Sequence, residues 1–294
     1  MNGKIITNCK LGITNKKVTS NNQKPATKNQ QQLKVIELFA GVGGFRIALE
    51  GYPKKENASF EVVWSNQFEP RSKIQHANLV YNYRFKEGKH AADDIEEIVE
   101  HAIDSIPKHD LLVGGFPCQD FSIANRTHGK GIEGKKGKLW WAIDSILKAK
   151  QPSYILLENV NRLLCSPSKQ KGRDFAVILW CLNELGYAVE WRVINAADYG
   201  FPQRRRRVFI LGYHKKTKLF KKLQKANKEA WLLKEGVAVQ EFPVIKKGSL
   251  QTGKIPKDKA AIMKSFLDPK SPFEKAGVML NGNFYSLDVK PNYA

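Results

Sequence analysis

From Leu33 to Tyr213, short apolar, β-branched runs alternate with segments of helical spacing, and that alternation restricts the chain to an α/β fold. The first run, LKVIELF (33–39), is apolar at most positions, as a strand covered on both faces must be. AGVGG follows as a turn, and FRIALEG (45–51) has helical spacing with a glycine stop. The same reading predicts strands over 60–65, 110–115, 153–160, 187–195 and 207–213. It predicts helices over 70–81, 95–106, 139–149 and 174–185. Strands joined through helices form a parallel sheet covered on both faces. The last two lack an intervening helix and are expected to pair antiparallel.

The flanks differ from this centre. Residues 1–32 end in SNNQKPATKNQQQ, which has no apolar periodicity and is expected to be a disordered basic arm. Residues 33–214 form the expected central α/β domain. After His214 a Lys-rich amphipathic stretch (215–235) gives way to loop-like sequence broken by Pro243, Pro256, Pro269 and Pro272. Residues 215–294 are therefore read as a partial or accessory segment.

Charge follows the same division. The chain carries a formal net charge of +21, yet residues 34–214 hold 26 basic and 21 acidic side chains. Residues 1–33 hold 6 Lys and no acid, and residues 215–294 hold 17 Lys against 7 acids. A positive field concentrated at the ends favours a polyanionic partner, nucleic acid first. A merely soluble Lys-rich surface has the same composition. No apolar run approaches the ~20 residues of a spanning helix, and the N-terminus lacks the apolar block of a secretory signal. Four scattered cysteines without C-x-x-C pairing point to a reduced, cytoplasmic, zinc-free protein.

Four elements carry candidate chemistry. The turn Phe39-Ala40-Gly41-Val42-Gly43-Gly44 joins a strand to a helix, where glycine admits close ligand approach and the helix start offers free N–H groups. A plain tight turn makes the same demand on glycine. At the end of the second strand, Gln67 or Glu69 can bind a ribose and Phe68 can stack on a purine. The third element is Gly115-Phe116-Pro117-Cys118-Gln119, a cysteine presented after proline in a polar loop at a strand's carboxyl end. Glu158-Asn159 closes the neighbouring apolar strand, so that carboxylate is expected to be desolvated. The fourth is Gln203-Arg204-Arg205-Arg206-Arg207, where alternation sends Arg205 and Arg207 to one side and Arg204 and Arg206 to the other. Guanidinium groups there suit phosphates and base edges.

The order FAGVGG, WSNQFE, DDI, GGFPCQDFS, GKLWW, ENV and QRRRR resembles the C5-cytosine DNA methyltransferase family across residues 33–213. The resemblance implies a Rossmann-like class I methyltransferase fold. It also implies S-adenosylmethionine as cofactor and DNA, within a restriction–modification system, as partner. By that resemblance Phe39, Ala40, Gly41, Gly43, Gly44, Gln67, Phe68, Asp94, Ile95, Pro117 and Leu139 line the cofactor pocket. Gln67 stands where the family commonly has a glutamate. Cys118 matches the nucleophile, Glu158 the cytosine-binding acid, and Arg205 and Arg207 the arginines beside them. Gln119, Ser122, Gln203, Arg204 and Arg206 would contact DNA.

The family's target-recognition region and closing motif have no counterpart in residues 215–294. The expectation is a subunit whose partner chain carries them, or a truncated or frameshifted form. Two other readings stay open: a transfer-RNA cytosine-5 methyltransferase that shares these motifs, and a non-catalytic nucleic-acid-binding or regulatory partner.

Overall fold

The computed structural model describes residues 32–53, 59–70, 72–117 and 138–292. Residues 1–31 of the arm expected over 1–32 lie outside them, as do Cys118, Gln119 and Ser122.

The central sheet begins with β1 (Leu33–Leu38), which leads through a turn into α1 (Gly44–Glu50). Then follow β2 (Phe60–Asn66), α2 (His76–Arg84), β3 (Lys89–Ala91), α3 (Ile95–His101), β4 (Leu111–Gly115), α4 (Lys138–Lys150), β5 (Tyr154–Val160), α5 (Arg173–Glu184), β6 (Tyr187–Asn195) and β7 (Arg206–His214). The strands lie in the order β3-β2-β1-β4-β5-β7-β6, parallel from β3 through β5, with β7 antiparallel to both neighbours. This is the Rossmann-like arrangement with an antiparallel last pair that the sequence led us to expect. The order reverses between β1 and β4, and in open α/β sheets ligands bind outside the carboxyl ends of strands at such a reversal.

One face carries the larger core, built from Ile143, Ile146 and Leu147 of α4, Phe175, Ile178 and Leu182 of α5, and Leu112, Leu157 and Ile210 of the strands. On the opposite face Val35, Val62 and Val113 pack with Leu49 of α1. β5 divides between the two, burying Ile155, Leu157 and Asn159 on the larger core's side.

Two local expectations need correction, and one strand escaped the sequence reading. The helix predicted over 70–81 starts at His76 and runs to Arg84. The Gln75 side chain takes the Glu69 N–H (2.7 Å) and donates to the Glu69 and Ser72 carbonyls, which ties the start of α2 back to the residues before it. The helix predicted over 95–106 ends at His101, and a short 3-10 turn (Ile103–Ser105) replaces its last part. The three-residue edge strand β3 is too short to show any periodicity.

The loop-like reading after residue 235 also needs correction. The segment after His214 holds α6 (Lys218–Lys225), α7 (Lys228–Ala230), a π-turn (Trp231–Glu235), α8 (Val237–Glu241), β8 (Val244–Lys246), β9 (Gln251–Lys254), α9 (Lys259–Lys264), β10 (Ala276–Leu280), β11 (Asn283–Leu287) and β12 (Val289–Pro291). β10, β11 and β9 extend the central sheet beyond β6, while β8 and β12 pair apart from it. Two contacts explain the attachment. The fully buried Glu190 of β6 accepts from Trp231 Nε1 (2.8 Å), Tyr213 Oη (2.8 Å) and the Ala238 N–H (3.0 Å). Gly277 of β10 lies so close over Trp191 that a Cβ would collide with its ring. β10 turns into β11 at Asn281 (φ 50°) and Gly282 (φ 74°), the Asn-Gly pair that a two-residue antiparallel turn favours.

Candidate active site

The β1–α1 turn adopts a strained path. Phe39 has φ 53°, unusual for an aromatic residue, and Gly41 and Gly43 are also left-handed. Backbone hydrogen bonds fix it: Ala40 N–H donates to Asn66 O (3.0 Å) and Gly43 N–H to Ala40 O (2.8 Å). The glycines divide their roles. A Cβ on Gly41 or Gly44 would meet nothing within 4 Å, so both border open space. A Cβ on Gly43 would run into the Phe85 ring, so this glycine serves packing.

Gln67 does not stand apart from that turn. It is largely buried, and its Oε1 accepts the Gly41 N–H at 2.7 Å. Phe68 beside it is half-buried. Asn66 donates its amide to Ala91 O (3.3 Å) and Asp93 O (2.9 Å), tying the end of β2 to the turn before α3. There Asp94 caps α3 by accepting the Glu96 N–H (3.0 Å), and Ile95 is 2% exposed, a core residue. Three turns therefore meet at the carboxyl ends of β1, β2 and β3. Open glycine backbone, a half-buried aromatic and adjacent amide and carboxylate groups suit an elongated nucleoside ligand.

Beneath this edge lies a polar network that sequence reasoning missed. Glu37, inside β1, is fully buried; it accepts the Tyr81 hydroxyl (3.0 Å) and the Arg46 N–H (3.3 Å). Burial pushes its carboxyl up to about 7, against the lowering effect of those bonds. Arg46 reaches Glu50 (2.9 Å) and Glu87 O (2.9 Å). His90 stacks on Tyr81 at 4.3 Å and shares a 2.8 Å hydrogen bond with Ser65 Oγ, and burial lowers its pKa. The signal was a lone acid in the apolar run LKVIELF, which pattern reading treats as a strand residue.

The second half of the site sits on β5 and β7. Glu158 and Gly115 are register partners, and the missing side chain of Gly115 leaves room for the carboxylate: its Cβ would lie 3.5 Å from Glu158 Oε2. Glu158 Oε1 pairs with Arg207 Nε at 2.8 Å and with an Arg205 guanidinium nitrogen at 3.4 Å. The expected desolvated acid is thus an ion-paired one, its side chain 19% exposed. Arg205 and Arg207 both reach Glu158; Gln203, Arg204, Arg205 and Arg206 are exposed and Arg207 is partly buried.

Asn159, the next residue along β5, points to the opposite face and donates to Phe116 O at 2.9 Å. This bond anchors the chain leaving β4 two residues before Cys118. Pro117 is exposed and Leu139, at the start of α4, packs against the larger core.

Residues 33–288 match the family described as C-5 cytosine-specific DNA methylase. The chain is 46% identical over 266 residues to the Type II methyltransferase M.Sau3AI of Staphylococcus aureus, covering 89% of this chain and 63% of that protein. It is 41% identical over 180 residues to M.NgoBI of Neisseria gonorrhoeae, covering 61% and 50% respectively. Among solved structures, a DNMT2 variant of Spodoptera frugiperda is similar with a TM-score of 0.48 and 20% identity, covering 64% of this chain and 51% of that one. The chain thus spans half to somewhat under two thirds of these curated relatives' lengths. Because the family match runs from β1 through β11 and takes in every strand end of this site, the chain belongs to the C-5 cytosine-specific DNA methylase family.

Proposed function

We propose that this chain is the catalytic part of a cytoplasmic DNA (cytosine-5-)-methyltransferase of the restriction–modification kind, using S-adenosylmethionine. The observation that carries the reading is Glu158, clamped by Arg205 and Arg207 at the end of β5 beside β4, whose chain continues through Phe116 and Pro117. A non-catalytic binding module has no use for an acid so arranged.

When bound, S-adenosylmethionine supplies an electrophilic methyl group. The open backbone at Gly41 and Gly44, with Phe39, Gln67, Phe68 and Asp94, would hold it at the ends of β1, β2 and β3. Cytosine C5 is too weak a nucleophile to take that methyl directly, so covalent activation is required. Cys118 provides it. Its thiolate adds to C6 of the base, the C5–C6 π pair moves to C5, and that carbon would take the methyl group as the methyl–sulfur bond breaks and its electron pair stays on the donor sulfur. The C5 proton then leaves to a base, and breakage of the sulfur–C6 bond frees the enzyme. Cationic Arg205 and Arg207 favour the thiolate. Glu158 holds the N3 edge of the ring through a shared proton, and that proton neutralises the electron density drawn to N3 during attack. The base must be extruded from its duplex to reach these groups.

The test is covalent trapping on DNA containing 5-fluorocytosine in the presence of S-adenosylmethionine. The expected result is an adduct that Cys118→Ser abolishes. Trapping should be repeated with a polypeptide carrying the rest of the relatives' length, which would supply sequence choice. No adduct in either case overturns the reading, and methylation of transfer RNA in place of DNA replaces its substrate.

A further inference from the structure

We propose that the outer face of α6 is a second DNA-binding surface, separate from the catalytic edge, which grips the phosphate backbone of another DNA segment. The inference rests on the DNA reading above.

The helix has two faces of opposite character. Lys218, Lys221, Lys222 and Lys225 fall at i, i+3, i+4 and i+7, and all four are exposed. Leu219, Phe220, Leu223 and Ala226 form the other stripe and pack into the core beside Trp231 and Val237. Lys215 and Lys216 extend the basic stripe into the preceding turn, and residues 215–228 contain no acid. Among the described residues none of these six ammonium groups pairs with a carboxylate. Lys222 alone has a specific contact, lying over the Trp231 ring at 5.4 Å.

Like charges at i, i+3 and i+4 repel and weaken a helix, a repulsion that a polyanion laid along this face would relieve. Two partners are usual for a basic amphipathic helix, a membrane surface and a polyanion. A membrane-lying helix inserts its apolar face, but here Leu223 is fully buried in the protein. Only the lysine face is available, and it offers charge without apolar area, which fits a phosphate backbone.

Its position separates it from the catalytic edge. β7 starts at Arg206 beside Glu158 and ends at His214, so Lys215 begins about 25 Å away on the opposite edge of the sheet. α6 then lies against the sheet's face, with its lysines directed away from the sheet, whereas Arg204 and Arg206 lie at the catalytic edge. The two basic surfaces face different directions, so the stripe serves a further stretch of DNA.

The test uses the full chain with Lys216, Lys218, Lys221 and Lys225 all replaced by Gln, a residue of good helix propensity that leaves Lys222 over Trp231 in place. Two differently labelled duplexes are offered together. The parent chain is expected to bring both down on capture of one, and the variant to lose that bridging. The slope of log affinity against log salt should fall in magnitude by about 0.9 for each phosphate no longer neutralised. Unchanged bridging with an unchanged slope overturns the proposal. So does loss of sedimentation with phosphatidylserine vesicles while DNA binding stays intact, which would make an anionic bilayer the partner. Trapping on 5-fluorocytosine DNA reports separately on the catalytic reading: bridging without an adduct sinks that reading and leaves the second surface standing.

Discussion

Asn159 donates its side-chain amide to the Phe116 carbonyl at 2.9 Å, so one strand end positions the neighbouring loop that leads to Cys118. Asn159 is 1% exposed, so water does not compete for this bond. Asn159→Ala should cost about 1–3 kcal/mol of stability, the usual penalty for deleting one side of a buried hydrogen bond. It should also slow adduct formation on 5-fluorocytosine DNA although Asn159 faces away from Glu158. Denaturant unfolding and trapping rates on one preparation check both; an unchanged rate would show that the Cys118 loop needs no such anchor.

Glu158 separates chemistry from folding. It sits at a strand edge with its oxygen shared by two guanidinium groups, so Glu158→Gln keeps the shape and removes the charge. The expected loss in methyl transfer is about 10²–10³-fold, the scale seen when one charge-stabilising group is removed from an active site. Stability should change by less than about 1 kcal/mol, since the ion pair is partly solvated. A variant with parental single-turnover rates would remove Glu158 from the mechanism.

The glycines of the β1–α1 turn should respond differently. Gly41→Ala meets open space and faces only the left-handed backbone penalty of about 1–2 kcal/mol. Its main effect should be on S-adenosylmethionine affinity, read by calorimetric titration. Gly43→Ala adds a collision with Phe85 and should destabilise further, by roughly 1–3 kcal/mol more. Thermal unfolding of the two variants side by side tests that order.

The buried network gives a pH signature. Glu37 titrates at about 7 in the fold against an ordinary 4.5, so the folded state holds the proton more tightly. The stability this contributes is complete below about 4.5 and is lost as pH rises through about 7, at most about 3 kcal/mol in all. Glu37→Gln should flatten that decline and be relatively more stable at pH 8, as urea titrations across pH would reveal. His90 has the opposite sign: its lowered pKa contributes stability present above its ordinary value of 6.5 and lost as pH falls through the folded one. A decline on the alkaline side that persists in the glutamine variant would assign it to another group.

Legibility tracked how local each determinant was. Strands such as β5 and β6 were readable because they are seven and nine residues long and rich in apolar and β-branched side chains. The paired arginines were readable because alternation sorts them within one extended segment. β3 was too short to read, and Gln75 ties the start of α2 back to the residues before it through bonds that no periodicity records. The segment after His214 looked irregular because its elements are brief and prolines interrupt them. The bonds that hold 231–238 in place converge on Glu190, some forty residues away.

The sequence by itself determined the alternation of strand and helix, the antiparallel closing pair and the order of the family's motifs, because period and spacing are properties of neighbours along the chain. Only the tertiary structure decided that Gln67 holds Gly41, that Gly43 makes room for Phe85, and that residues 251–287 extend the same sheet. Those outcomes depend on which side chains meet across strands and turns distant in sequence, where packing and hydrogen-bond satisfaction govern and no local pattern carries the information.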